Sequence, residues 1–274
     1  MKRSYALQMK ILRVYEGDSA FFVQDTYLGT FGVDVFTKPY EPEQLKLILS
    51  SLKCIKNPIF IDVGAAVGAH SLRVAAYGFE VKAIEPNINN IKALTENLKL
   101  NNFVEDFEIL QAIAKPQNDN SINITDKERW ELSRGDKYVD TSIDFWNLAN
   151  ELNKKGITSI IKVDIEGAEW PFFGFSFINR FKKTRNVVIL SVHIGFNREF
   201  RKKFLIGKLI YRAKVITELL KLLYMSFTFR YFYELKENKL TKVNFCRRRL
   251  FWADGWKNPI LISNNDEIKK LLNL

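Results

Sequence analysis

The stretch that most constrains the fold is residues 59–86, IFIDVGAAVGAHSLRVAAYGFEVKAIEP. Ile59 to Val63 is an apolar run broken only by Asp62, with the length and β-branching of a strand buried on both faces. It enters Gly64-Ala65-Ala66-Val67-Gly68, after which Leu72, Val74, Ala75 and Ala76 keep helical spacing up to Gly78. Phe79 to Ile84 is a second apolar strand, and it ends on Glu85. Strand, glycine turn, helix and a second strand ending in an acid make a βαβ unit of the nucleotide-binding type. The turn lets backbone approach a ligand, and an acid about 20 residues on can take two ribose hydroxyls.

The chemistry of the turn narrows the ligand. A hydride cofactor needs G-x-G-x-x-G so that its pyrophosphate can sit on the helix N-terminus. Here Ala66 stands between Gly64 and Gly68, and Asp62 precedes them where a pyrophosphate would be repelled. S-adenosylmethionine has no phosphate but carries an ammonium, a sulfonium and a ribose diol, so it suits an acid there. The competing structural reading is a glycine turn that binds nothing.

The rest of the chain extends this unit. The length of 274 residues suits one large domain or one domain with additions, and 47% hydrophobic content excludes disorder. Tyr5 to Val35 alternates loosely and predicts two or three short strands; Pro39 and Pro42 stop them, and Glu41 to Leu52 is helical. Asn87 caps a helix to Leu100, Phe107 to Ile113 is a third strand, residues 115–135 a polar loop or small insertion, and Ser142 caps a helix ending at Gly156. Thr158 to Val163 is a fourth strand ending on Asp164, Ala168 to Phe177 a helix, and Asn186 to His193 a fifth strand ending on a histidine. Arg198 to Tyr224 is helical, and Phe227 to Leu235 with Val243 to Ala253 make an antiparallel pair, with Arg247, Arg248 and Arg249 oddly placed on a strand. The domains expected are 1–56, a β/α extension, and 57–274, the unit built on this βαβ element with the basic C-terminal helix and β-hairpin.

Residues 196–274 carry 18 Lys and Arg against 7 Asp and Glu, which is the whole of the +11 net charge. The basic helix suits either an anionic membrane surface or a solvated face on a core-packing helix, and the latter is preferred. No run reaches 18 uncharged apolar residues, residues 1–10 lack a signal peptide's apolar run, and two cysteines give no disulfide framework. The expected location is cytoplasmic, with membrane-peripheral contact as an option.

With Asp62 to Gly68, Ile84-Glu85-Pro86, Lys162 to Glu169 (KVDIEGAE) and His193 in hand, the sequence resembles the FkbM family of S-adenosylmethionine-dependent methyltransferases. Tyr40-Glu41-Pro42 and Thr141-Ser142-Ile143-Asp144 extend the likeness, which covers roughly residues 30–230. Two positions depart from the family: Ala66 replaces Asn, and Ser191 replaces the Glu before x-His. The resemblance implies a doubly wound, seven-stranded class I (Rossmann-like) methyltransferase sheet of order 3-2-1-4-5-7-6, preceded by N-terminal β-additions. It also implies O-methylation of a small hydroxylated molecule, sugar, glycan or glycolipid.

For the cofactor it implies Asp62, Gly64, Ala65, Gly68, Glu85, Pro86, Gln111, Ala112 and Asp164. For the acceptor it implies Asp164, Glu166 and His193, with His193 as the base. Glu166 reads equally as a helix cap, and His193 also as a residue satisfying backbone at the sheet end. His70 reads as a loop residue without a chemical role, and Glu169 as a first-turn helix acid. Asp164, Glu166 and His193 would suit Mg²⁺ or Mn²⁺, but no spacing demands a metal, and none is assigned. The rivals are nucleic-acid methylation through the basic C-terminal part, disfavoured because no N-P-P-Y/F tetrapeptide is present, and a non-catalytic binding module on the same fold.

Overall fold

The computed structural model describes residues 11–16, 19–24, 34–103, 105–114, 141–165, 173, 175–191, 205–237, 239–243 and 258–273. The strands are β1 (Ile11–Glu16), β2 (Ser19–Gln24), β3 (Pro58–Val63), β4 (Val81–Ile84), β5 (Phe107–Leu110), β6 (Ile113–Ala114), β7 (Ser142–Ile143), β8 (Thr158–Val163), β9 (Val187–Leu190), β10 (Tyr231–Lys236), β11 (Lys239–Lys242) and β12 (Ile260–Ser263). The helices are α1 (Asp34–Thr37), α2 (Pro42–Cys54), α3 (Ala69–Ala76), α4 (Ile88–Asn101), α5 (Phe145–Lys154), α6 (Phe175–Phe181) and α7 (Leu205–Thr228), with a closing 3-10 helix at Asp266–Asn273.

Eight strands form one sheet in the order β11-β10-β12-β9-β8-β3-β4-β5. The five from β9 to β5 are parallel, while β12 runs antiparallel to both β9 and β10. Counting β3, β4, β5, β8, β9, β10 and β12 as first to seventh, the order is 3-2-1-4-5-7-6, with β11 added at the edge. The parallel run arises because every residue of β8 and five of the six in β3 are buried, as strands covered on both faces must be. Alternate residues point to opposite faces. Phe60, Val81, Ile160 and Val187 meet α2, α3, α4 and the 3-10 helix. Ile61, Val63, Ile161 and Val188 meet α5, α6 and α7. Helix α2 shares this core with β3, so the expected boundary at 56/57 falls between two elements packed together.

Several sequence expectations change. The seventh strand is Ile260–Ser263, not Val243 to Ala253; of that predicted strand only Val243 is described, and it lies outside any strand. The chain at 227–228 is still α7, because the apolar period of that helix continues through Leu222 and Met225 into the core. Helix α5 is capped by Asp144, which accepts from the N–H groups of Trp146 and Asn147; Ser142 instead pairs with Ile113 across β6 and β7. Val35 sits in the helical turn α1, not in a strand. Strands β1 and β2 form a separate antiparallel hairpin. It docks on α4, where Asn97 and Asn101 accept from the Gln24 and Phe22 N–H groups, and Asn101 also donates to the Phe22 carbonyl. The predicted 115–135 insertion and the Arg247–Arg249 triplet lie outside the described residues.

Candidate functional site

Parallel strands align their carboxyl ends, so β4, β3, β8 and β9 present Glu85, Gly64, Asp164 and Ser191 along one edge. The turn after β3 is shaped by close packing. A Cβ on Gly64 (φ +82°) would lie 2.1 Å from the Asp164 carbonyl oxygen, so only glycine lets the ends of β3 and β8 converge. Gly68 is similarly placed against Leu94, 2.5 Å from where its Cβ would be. Between them Ala66 takes φ +50°, a conformation that Asn tolerates better than Ala.

The Ala66 N–H donates to Glu85 Oε2 at 2.9 Å, while Glu85 Oε1 accepts from the Asn87 N–H at 2.9 Å and from Asn90 Nδ2 at 3.1 Å. The carboxylate thus ties the glycine turn to the start of α4. Three donors fill about three of its roughly four acceptor positions, leaving room for a ligand hydroxyl. Burial pushes the Glu85 carboxyl above its ordinary range, against the lowering effect of those three hydrogen bonds. Pro86 follows at the strand end, and Gln111, exposed, and Ala112, buried, follow β5.

One strand over, the sheet buries a second ionic group. Asp62 and Lys162 stand opposite each other in the β3–β8 register. Lys162 Nζ lies 3.3 Å from Asp62 Oδ1 and 3.5 Å from Asp164 Oδ2, and Asp62 Oδ2 accepts a 2.6 Å hydrogen bond from the Ser71 hydroxyl. Burial alone would pull the Lys162 ammonium down; the negative charges of Asp62, Asp164 and Glu41, with Tyr40, instead hold it above the usual lysine range. His70 is buried beside this group, its ring 5.4 Å from that of Tyr40 and its Nε2 3.6 Å from Glu41 Oε2. Burial, then the charges of Lys162 and Arg73, hold the imidazole well below its ordinary range, so it is neutral.

The structure therefore brings Asp62, Gly64 and Asp164 together through Lys162 and the β3–β8 contact, and links Glu85 to the turn. Glu166 and His193 lie outside the described residues. Among the described residues, no group of three or more His, Cys, Asp and Glu side chains could hold a metal ion. Lys162, Glu41 and His70 were missed as parts of the site. A lysine inside the apolar strand TSIIKV was the available signal, since a strand covered on both faces has no place for an unpaired ammonium. The residues suit S-adenosylmethionine: Glu85 has acceptor capacity for a ribose hydroxyl, and Asp62, Asp164 and Glu41 outnumber Lys162, leaving net negative charge for a sulfonium and an ammonium.

Residues 62–231 match the family described as the methyltransferase FkbM domain. No curated protein matches the chain. Among solved structures, it resembles the bifunctional kinase-methyltransferase WbdD (14% identity, 87% of this chain and 43% of that one, TM-score 0.44). It also resembles a putative O-methyltransferase from Klebsiella pneumoniae (9% identity, 81% and 80%, TM-score 0.41). A third is a putative S-adenosylmethionine-dependent methyltransferase from Streptococcus mutans (9% identity, 93% and 55%, TM-score 0.43). The chain spans less than half the length of the WbdD structure. Among the described residues no helix is long and apolar enough to cross a membrane.

Proposed function

The chain belongs to the FkbM methyltransferase family, and from that premise we propose that it methylates a hydroxyl of a sugar, glycan or glycolipid, with S-adenosylmethionine as donor. The observation that carries the reading is Asp164: a carboxylate at the carboxyl end of β8, paired with Lys162 and next to the glycine turn. A hydroxyl acceptor must lose its proton as it is methylated, and a carboxylate at this end can orient that hydroxyl.

The bound cofactor supplies a methyl group already activated by the sulfonium. The chain's task is then to hold the acceptor oxygen in line, worth up to about 7–11 kcal/mol of barrier, and to receive its proton, worth roughly 10²–10⁴-fold. In this reading Glu85 holds the ribose, Asp164 and Glu166 orient the acceptor, and His193 takes the proton as the neutral imidazole. His193→Ala is expected to lose turnover by about 10²–10⁴ with cofactor affinity nearly unchanged. Full turnover in that variant, with loss in Asp164→Asn or Glu166→Gln, would make the base a carboxylate or a metal-bound site and His193 structural.

The deciding experiment offers sugars, glycolipids and RNA to the protein with S-adenosylmethionine and reads S-adenosylhomocysteine production. Turnover on hydroxylated glycans that barely depends on salt supports the reading. Turnover on RNA, with binding that falls steeply as salt rises, would favour the nucleic-acid alternative suggested by the +11 charge. Cofactor binding without turnover on any acceptor would favour a binding module.

A further inference from the structure

We propose that Glu41 holds the α-ammonium group of S-adenosylmethionine. The inference rests on the donor reading above and on Glu85 as the ribose anchor. Glu41 lies outside the matched span of 62–231, in the Tyr40-Glu41-Pro42 corner that leads into α2.

Position is the first argument. Glu85 fixes the ribose at the end of β4, and Gln111 and Ala112, assigned to the cofactor, lie on the β5 side of it. The amino-acid part must then run the other way, over the ends of β3 and β8, one to two strand spacings or about 5–10 Å from Glu85. Glu41 sits over that boundary, where its carboxylate lies 3.6 Å from His70 Nε2 and acts on the charge of Lys162. Three residues on, Gln44 Nε2 donates to the Ser191 hydroxyl at 3.1 Å, so the first turn of α2 continues across to the end of β9.

Accessibility is the second argument. Asp62 is the acid that the sequence offers for the ammonium, yet it is 1% exposed, and its two oxygens already accept from Lys162 and Ser71. Lys162 is 5% exposed and Asp164 12%, whereas Glu41 is 40% exposed. Of the carboxylates around Lys162, Glu41 is the one a ligand reaches most readily.

Backbone and a buried neighbour supply the third. Glu41 adopts φ 44°, ψ 56°, a left-handed conformation that costs a non-glycine residue energy and that clusters at ligand clamps. Behind it, the His70 side chain is 2% exposed, and its Nε2 makes no hydrogen bond among the described residues. A neutral imidazole facing the same carboxylate adds no positive charge to compete with an incoming ammonium.

The test is equilibrium binding of three ligands to the full chain: S-adenosylmethionine, S-adenosylhomocysteine and 5′-methylthioadenosine. The last keeps the nucleoside thioether but has no amino-acid part. Glu41→Gln is expected to weaken the first two by about 10–100-fold, the worth of a charge-assisted hydrogen bond, and to leave methylthioadenosine within about twofold. Glu41→Asn should do the same; because Asn accepts the left-handed conformation, an unchanged melting temperature shows that the loss is not unfolding. Equal weakening of all three ligands, or of none, overturns the proposal. Failure of the wild-type protein to bind any of the three removes the donor reading itself, and the proposal with it.

Discussion

Two buried carboxylates one strand apart, Asp62 on β3 and Glu85 after β4, are stabilised in opposite ways. Glu85 is held by neutral donors, two backbone N–H groups and the Asn90 amide, and burial raises its carboxyl. Asp62 is held by a lysine and a serine hydroxyl, and its partner Lys162 is the group whose charge is reinforced. The neutral cradle leaves Glu85 acceptor capacity, whereas the ion pair commits Asp62 to the interior. An acid at the end of a strand is thus no sign by itself of a ligand contact; what its oxygens already hold decides.

If that distinction is right, Lys162→Met should have the largest effect on stability. It leaves Asp62 and Asp164 facing each other across the β3–β8 seam without a counter-ion, and breaking such a buried pair costs about 3–5 kcal/mol. Adding Asp62→Asn should recover much of the loss, because the stranded charge is removed with its partner. Denaturant unfolding of the two single variants and the double variant reads this directly. Equal losses that simply add would mean that Lys162 acts through packing alone.

Glu85→Gln should cost the fold less, about 1–3 kcal/mol, because three donors converge on two oxygens and the new amide must set a donor against one of them. Its main effect falls on the ligand: calorimetric affinity for S-adenosylmethionine should drop about 10–100-fold. Asp62→Asn should move stability more than affinity, the reverse order. Similar affinity losses in both would place Asp62 in direct contact with the cofactor.

His70 gives a pH test of the buried side. Burial holds its folded-state value well below the unfolded one, so below about pH 6.5 the unfolded chain binds a proton that the folded chain refuses. Stability therefore falls as pH drops through that window, by up to about 1.4 kcal/mol per unit. Glu85, whose folded value is raised, acts with the opposite sign, losing stability as pH rises above the ordinary carboxylate range. Melting between pH 5 and 8 should show the histidine slope in the wild type and lose it in His70→Gln.

The parallel core was legible because its strands are continuous apolar runs, and the caps at Asn87 and Gly156 fell where hydrogen-bonding side chains and glycine predict them. The last strand was not. It was expected at Val243 to Ala253, whereas the strand that pairs with β9 is Ile260–Ser263, a short apolar run whose place beside β9 is settled by its cross-strand packing. The acids of the site were legible by position at strand ends. Their partners were not, because Lys162 and Asp62 are 100 residues apart in the chain and meet only through strand register. His70 looked like a loop residue and proved buried for the same reason: Tyr40 and Glu41, which cover it, come from a segment placed by packing of α2.

The smallest expected effect concerns Ala66, between the two glycines of the turn. Its φ of +50° strains an alanine by about 1 kcal/mol, while its N–H must stay aimed at Glu85. The left-handed conformation accompanies that hydrogen bond, and Glu41, at φ 44°, is a second non-glycine residue in the same region. Ala66→Asn should raise stability by about 0.5–1 kcal/mol, since Asn adopts this conformation readily. Ala66→Gly should gain less, because glycine relieves the clash but loses more backbone entropy on folding. If the gain comes only from the backbone, cofactor affinity should change equally little in both variants. A tighter complex in Ala66→Asn alone would mean that the amide itself reaches the ligand, and that this chain lacks a cofactor contact at position 66.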